Sequence, residues 1–473
     1  MRFGLVGPTY TAKSTAVADQ ECINWFAETV ETQEEQETKK ALFHTPGTKT
    51  FCTLPASPTR GSIFTGSRMF AVGGAKLYEV LSDGTITERG NVANDGAAVS
   101  LTFSNIQVFI VSAGHAYCYT LATNALAEVT ASLVGVPVQC EYADSYFICL
   151  LQGNKFQFSG ILDGLTWDAL TVDAVTVFAE DCVSIIVNHR ELWVFGSQHT
   201  QPYYNSGSDN IFDVIQGTLI EKGSGARFSP KKVDNTIFWV HQSERGGRSA
   251  WRANGYTPLR ISTHAVEAAW AEYTTISDLV TYAYEDGGHE FWCLYFPSAD
   301  CMWVYDVAES MWHKRAAWVN ASWEPHHSWN HVYAFGKHLV GDWSTGNIYE
   351  LSMDFLDDAG TSIRRLRRAP ILGDEMKRIY HAELNVDFET GLGPQPPLVD
   401  GNGNPRGPQA ILRWSDTRGK VWSSEHVRDC GKAGEYKTRV IWRRLGQSRY
   451  RVYELSVTDP IAWVIVDGYL RTA

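Results

Sequence analysis

The 473-residue chain has no C-x-x-C pair, no run of eighteen apolar residues and almost no helical periodicity. Each absence excludes something. Without C-x-x-C, nine cysteines, an odd number, signal neither a zinc ribbon nor a dithiol redox centre. Most sit in apolar strand-like runs such as Tyr146-Phe147-Ile148-Cys149-Leu150, as buried free thiols of a reducing compartment do. No segment is long and apolar enough for a transmembrane helix. Met1-Arg2-Phe3-Gly4-Leu5-Val6 has neither the apolar stretch nor the cleavage pattern of a signal peptide. The expectation is a protein made in a cytoplasm, without membrane insertion. Gly7-Pro8 and Lys13-Ser14 echo a phosphate loop, but the glycine spacing and the surrounding α/β pattern are missing, which excludes nucleotide binding. His264 to Tyr273 is the single helical candidate in the middle of the chain.

What is present is aromatic and acidic. Seventeen Trp and twenty-one Tyr supply large buried areas with polar tips, suited to strand-rich cores and broad interfaces. The length exceeds one ordinary domain. The net charge of −12 argues against a protein that coats DNA or a membrane. That charge is unevenly spread. From Thr361 onward there are 19 Lys and Arg against 13 Asp and Glu, net +6, while the preceding residues hold 22 against 40, net −18. Such asymmetry points to partners of different polarity.

Seven short segments recur at intervals of roughly forty to fifty residues. They are Leu77-Tyr78-Glu79-Val80, Tyr117-Cys118-Tyr119-Thr120, Phe156-Gln157-Phe158-Ser159, Tyr203-Tyr204-Asn205-Ser206, Ala250-Trp251-Arg252-Ala253, Trp303-Val304-Tyr305-Asp306 and Ile348-Tyr349-Glu350-Leu351. Several follow another strand signal by eight to twelve residues, such as Ile106 to Val111 and Glu191 to Phe195, as two strands of one hairpin do. This period with several short strands per unit is the mark of propeller blades. The expected fold is all-β: a β-propeller-like body of about six to seven blades over 56–360, with an additional C-terminal β-sandwich over 361–473. Seven segments are also compatible with six blades plus a strand donated elsewhere.

Residues 1–55 read as an N-terminal arm that contacts a neighbour above and joins the terminal domain. The arm holds an apolar knot at Cys22-Ile23-Asn24-Trp25-Phe26-Ala27 and a charged run from Glu28 to Lys40, read as a loop or a short exposed helix. Thr45-Pro46-Gly47-Thr48 is a turn that re-enters strand. In the last domain, strands are expected at His381 to Phe388, Ala410 to Ser415, Thr438 to Arg444, Tyr450 to Val457 and Trp463 to Val466. A loop with five Gly and five Pro runs from Gly391 to Pro408.

No residue set stands out as catalytic, cofactor-binding or metal-binding. His326, His327, His331 and His338, with Asp342, cluster in sequence, but their spacing matches no metal motif and strand alternation would scatter the side chains. Asp286, His289 and Glu290 flank Gly287-Gly288, and a hairpin turn explains the glycines. Paired carboxylates for glycoside cleavage are not singled out among the 53 acids. The basic run Arg364, Arg365, Arg367 and Arg368 joins an acidic body to a basic domain, so a subunit contact is expected there. Arg443, Arg444, Arg449 and Arg451 are read as further interface residues, with pairing to acids inside the sandwich as the alternative for several of them.

Gly434-Glu435-Tyr436, Arg439 to Gly446 and Arg449 to Leu455 together resemble the C-terminal signature of the packaged-DNA stabilisation proteins, the tail hub or nozzle proteins of short-tailed bacteriophages. Glu21 to Glu28 is similar to the family's segment of an Asn followed by an aromatic and an acid. Thr45 to Thr48 is similar to its Pro-Gly turn, and Gly73 to Val80 to its first blade hairpin. From Val138 to Asp278 the likeness is one of style alone. The resemblance implies a propeller with an added β domain and a homo-hexameric ring beneath the portal and the head-to-tail adaptor ring. It implies tailspikes or fibres and a plug or needle as neighbours, duplex DNA passing through the lumen without specific binding, and a place in the virion tail. It implies no catalysis and no cofactor. A β-propeller that binds or processes glycans is the alternative.

Overall fold

The computed structural model describes residues 4–30, 39–130, 132–207, 211–394 and 397–472. Six four-stranded antiparallel blades follow one another along the chain. They begin with the strands Thr59–Phe64, Ser100–Phe103, Pro137–Ala143, Cys182–Asn188, Lys231–Val233 and Val280–Asp286. A seventh blade takes Ser328–Ala334, Lys337–Asp342 and Asn347–Ser352 from the end of the body and its fourth strand, Gly47–Thr53, from near the N-terminus. The propeller therefore has seven blades, and its ring is closed by the strand that follows the Pro-Gly turn. Closure of this kind removes the open edges that a lone sheet would expose.

All seven aromatic segments start on the third strand of a blade, for example Lys76–Val80, Lys155–Gly160 and Cys301–Asp306. The reason is packing. The middle strands are covered on both faces by neighbouring blades, so large side chains fill the gaps. Phe156 and Phe158 meet Phe212 of the next blade at ring distances of 6.3 and 5.7 Å. Phe195 meets Trp239 at 5.7 Å, and Phe238 meets Trp292 at 5.6 Å. The first strands of successive blades line the axis. The helix expected at His264 to Tyr273 is present as His264–Ala271, capped by Thr263.

The sandwich has two sheets. One orders Asp19–Ile23, Arg365–Arg368, Tyr450–Val457, Gln409–Ser415 and His426–Asp429. The other orders Trp25–Val30, Lys39–His44, Val464–Thr472, Ile379–Phe388 and Val440–Arg443. Trp25, Leu42, Leu384, Trp442, Leu455 and Trp463 are buried between them. Residues 1–55 are thus shared between domains: Asp19–Ile23, with the short Tyr10–Thr11 at its edge, Trp25–Val30 and Lys39–His44 enter the sandwich, and the next strand closes the propeller. The ends of the charged run, Glu28 to Val30 and Lys39 to Lys40, pair as an antiparallel hairpin; its centre, 31–38, where a loop or short helix is expected, lies outside the described residues. Asp19–Ile23 also pairs in parallel with Met311–Val319 of blade six at Ile23 and Lys314, so one continuous sheet joins the two domains.

Asn24 sits at this joint. Its φ of 58° takes the chain from one sandwich sheet to the other, a conformation Asn tolerates better than bulkier residues. Its side-chain amide donates to the carbonyls of Ala316 and Arg364, both at 2.7 Å, and its side-chain oxygen accepts from Ala316 N at 3.0 Å. One residue thus ties the arm, blade six and the start of the sandwich.

Candidate functional site

The basic run does not form a partner-facing surface. Arg365–Arg368 is an interior strand of the sandwich, and Arg365 and Arg367 are 0 % exposed. Arg367 donates from Nε to Leu5 O at 2.6 Å and from Nη1 to Pro8 O at 3.1 Å. Arg368 reaches Glu454 at 2.8 Å, Asp19 at 2.9 Å and Glu21 at 3.3 Å, and lies over the Trp422 ring. Arg364 lies over Trp318, 4.1 Å from its ring centre. Arg364, Arg365, Arg367 and Arg368, expected at a subunit contact, make their contacts within the chain. Burial pulls the Arg365 guanidinium down to about 10. Arg451 is also buried, paired with Asp416 at 2.6 Å. Arg443, Arg444 and Arg449 are exposed, and Arg443 pairs with Glu383 at 2.9 Å.

The propeller axis offers a narrow cavity of about 180 Å³ lined by residues such as Arg60, Gln139, Glu141, Lys231, Tyr282 and His331. It has room for a few waters. A DNA duplex, whose major groove alone is about 12 Å wide, does not fit. Lys231 is pulled down by burial, and burial pushes the Glu141 carboxyl up to about 7 against the opposing pull of Lys232 and Lys231. Larger hollows open at blade ends. One of about 510 Å³ is lined by Lys231, Lys232, Glu285, Glu290, His331 and His338. Another of about 670 Å³ includes Arg227, Phe228, Leu279 and Trp329.

The candidate acid–base set is divided. Gly287 and Gly288 form the tip of the Val280–Asp286 and His289–Phe296 hairpin, with φ of 59° and 85°. His289 turns inward to Asp306 at 2.8 Å, whereas Glu290 accepts from Asp234 N at 2.8 Å. The hydrogen bond to Asp306 raises the pKa of His289, against the effect of burial. The four histidines also divide. His331 Nε2 meets His338 Nδ1 at 3.0 Å on paired strands. His326 and His327 precede the strand Ser328–Ala334 and stack with ring centres 4.2 Å apart. Strand alternation does not separate them because they lie outside the strand. Asp342 caps Ser344 and Thr345 and accepts from the Tyr349 hydroxyl at 3.2 Å. Asp358, distant in sequence and not signalled by any motif, takes its place beside His326. Only the sheet pairing of Asp358 with Thr48 brings it there.

All nine cysteines are free, eight of them buried. Among the described residues, no helix is long and apolar enough to cross a membrane.

Fold and wiring together define a seven-bladed β-propeller fused through a shared sheet to a β-sandwich. The chain belongs to the bacteriophage P22 Gp10 family: the family's β-propeller model matches residues 3–356 and its β-sandwich model residues 364–473. It is accordingly a phage structural protein, as the packaged-DNA stabilisation resemblance implied. No curated protein sequence matches the chain. Among solved structures it is similar to the N-terminal domain of Nup159, with 13% identity and a TM-score of 0.41 over 68% of this chain and 97% of that one. It is also similar to YCF48 from Cyanidioschyzon merolae, with 13% identity and a TM-score of 0.44 over 65% and 99%. A computationally designed protein, Ika8, aligns with 10% identity and a TM-score of 0.36 over 64% and 99%. Likenesses this remote say nothing about what the chain binds.

Proposed function

We propose that six copies of this chain form a ring at the tail vertex, below the portal and the adaptor ring, that extends and closes the DNA channel and passes DNA at ejection. The observation that carries this reading is membership of the P22 Gp10 family across both domains. The physics is consistent with it. The propeller axis is too narrow for a duplex, so the conduit lies between copies. The body holds the chain's acidic excess. An acidic wall repels phosphates and lets a duplex slide, whereas rows of Lys and Arg would retain it in a salt-dependent grip. Tailspikes or fibres and a plug or needle are the expected neighbours. With the arginine run sequestered, exposed Arg443, Arg444 and Arg449 are the basic residues proposed to face an acidic ring above.

The test is the symmetry of the assembly. Electron microscopy of virus particles and native mass measurement of the purified chain are expected to show a sixfold ring of this chain at the tail. A chain that stays single, is absent from particles and turns over a glycan would overturn the proposal in favour of a glycan-processing propeller.

A further inference from the structure

We propose that His326, His327 and Asp358 form a transition-metal site of the zinc class where blade seven meets the segment leading into the sandwich. One nitrogen of each imidazole and one oxygen of the carboxylate lie within 4.8 Å of one another. His326 Nε2 is 3.8 Å from Asp358 Oδ1. Ligand atoms around a tetrahedral zinc, bound at about 2.0–2.1 Å, are about 3.3 Å apart, so side-chain shifts of about an ångström complete the geometry. The donor set is two imidazoles and a carboxylate, a combination that favours zinc, cobalt or nickel over calcium or magnesium.

Observations beyond proximity point to a cation. His327 Nε2 is buried and has no hydrogen-bond partner among the described residues. Such an orphan nitrogen costs free energy unless something accepts its lone pair or its proton. The other two groups carry the outer contacts that orient metal ligands. His326 Nδ1 lies 2.6 Å from Ser328 Oγ, which is 2.7 Å from the Tyr282 hydroxyl. Thr48 Oγ1 donates to Asp358 Oδ1 at 3.1 Å.

The location gives the ion a mechanical role. Asp358 pairs with Thr48 on the strand that closes the propeller, and His326 and His327 directly precede the first strand of blade seven. An ion here would staple the ring closure to the interdomain segment. The site does not depend on the proposed ring and stands or falls separately.

The full chain, purified without a histidine tag and stripped with EDTA, would be titrated with zinc by calorimetry and with cobalt(II) by visible absorption. One ion per chain, a tetrahedral-type cobalt spectrum and a zinc-dependent rise in melting midpoint are expected. His327→Asn and Asp358→Asn should each weaken zinc at least about tenfold, whereas His338→Asn should leave it unchanged. Because His327 Nε2 makes no hydrogen bond, His327→Asn tests ligation with the least disturbance of the fold. Circular dichroism of each metal-free variant verifies that fold. Absence of saturable uptake by the folded parent, uptake unchanged in His327→Asn, or loss of uptake only in His338→Asn would each overturn the site.

Discussion

The propeller and the sandwich are both antiparallel β-structures with aromatic cores, yet they are assembled in opposite ways. Blades one to six pair strands that are neighbours in the chain, as Met69–Gly73 with Lys76–Val80. The sandwich pairs Glu21 with Arg368 and Leu42 with Ile465. The ionic groups follow suit. In blade one, Arg68 is held by Glu79, eleven residues away. In the sandwich, Arg367 is held by Leu5, 362 residues away. Contacts so distant demand that a long loop be closed before they stabilise anything. The difference teaches that one chain can contain a domain written locally and a domain written at its two ends. The seventh blade, closed by Gly47–Thr53, stands between the two cases.

The comparison breaks most sharply on deletion of residues 1–46. The sandwich would lose three strands together with Trp25 and Leu42 of its core, while the closing strand is spared. Hydrogen exchange is expected to show lost protection across Tyr450–Val457 and retained protection in Thr236–Gln242. Equal protection in both would mean that the sandwich does not need the arm.

Single arginines should divide in the same way. Arg368→Ala leaves buried Asp19 without its cation and buried Glu454 with Arg413 alone, and is expected to cost about 3–5 kcal/mol in denaturant unfolding. Arg443→Ala removes an exposed pair and should cost at most about 1 kcal/mol. Equal costs would contradict the inward placement of the run.

Gly47→Ala sharpens the intermediate case. A Cβ there would stand 2.4 Å from Asp357 O and 2.5 Å from Phe355 O. The expected loss is about 1–3 kcal/mol, read as a lower melting midpoint.

A pH dependence of the propeller axis is also expected. Burial pushes the Glu141 carboxyl up to about 7 from 4.5. Folding therefore favours the protonated form. That contribution is complete below the unfolded value of 4.5 and is lost as pH rises through about 7. Glu141→Gln stays neutral throughout, so its melting midpoint relative to the parent should rise between about pH 5 and pH 8. A constant difference would show that the Glu141 carboxyl titrates alike in the folded axis and in the unfolded chain.

Much of the fold was legible. The aromatic segments mark third strands because that position is packed on both faces in every blade. The last domain's strands were legible from alternation and turns. The arginine run was not. A sequence of basic residues looks the same whether it faces solvent or Asp19, Glu21 and Glu454, and those acids lie far away in the chain. The His326–His327–Asp358 grouping was hidden because pairing with Thr48, near the N-terminus, places Asp358, and because strand alternation does not govern two residues that precede their strand.

Periodicity along the chain alone determined the propeller, because each blade buries its side chains against units of the same local pattern. Tertiary structure decided which strand closes the ring, which arginines turn inward and which carboxylate joins the histidines. Those outcomes depend on segments that meet only after the two ends of the chain return to each other, and no local pattern encodes a partner hundreds of residues away.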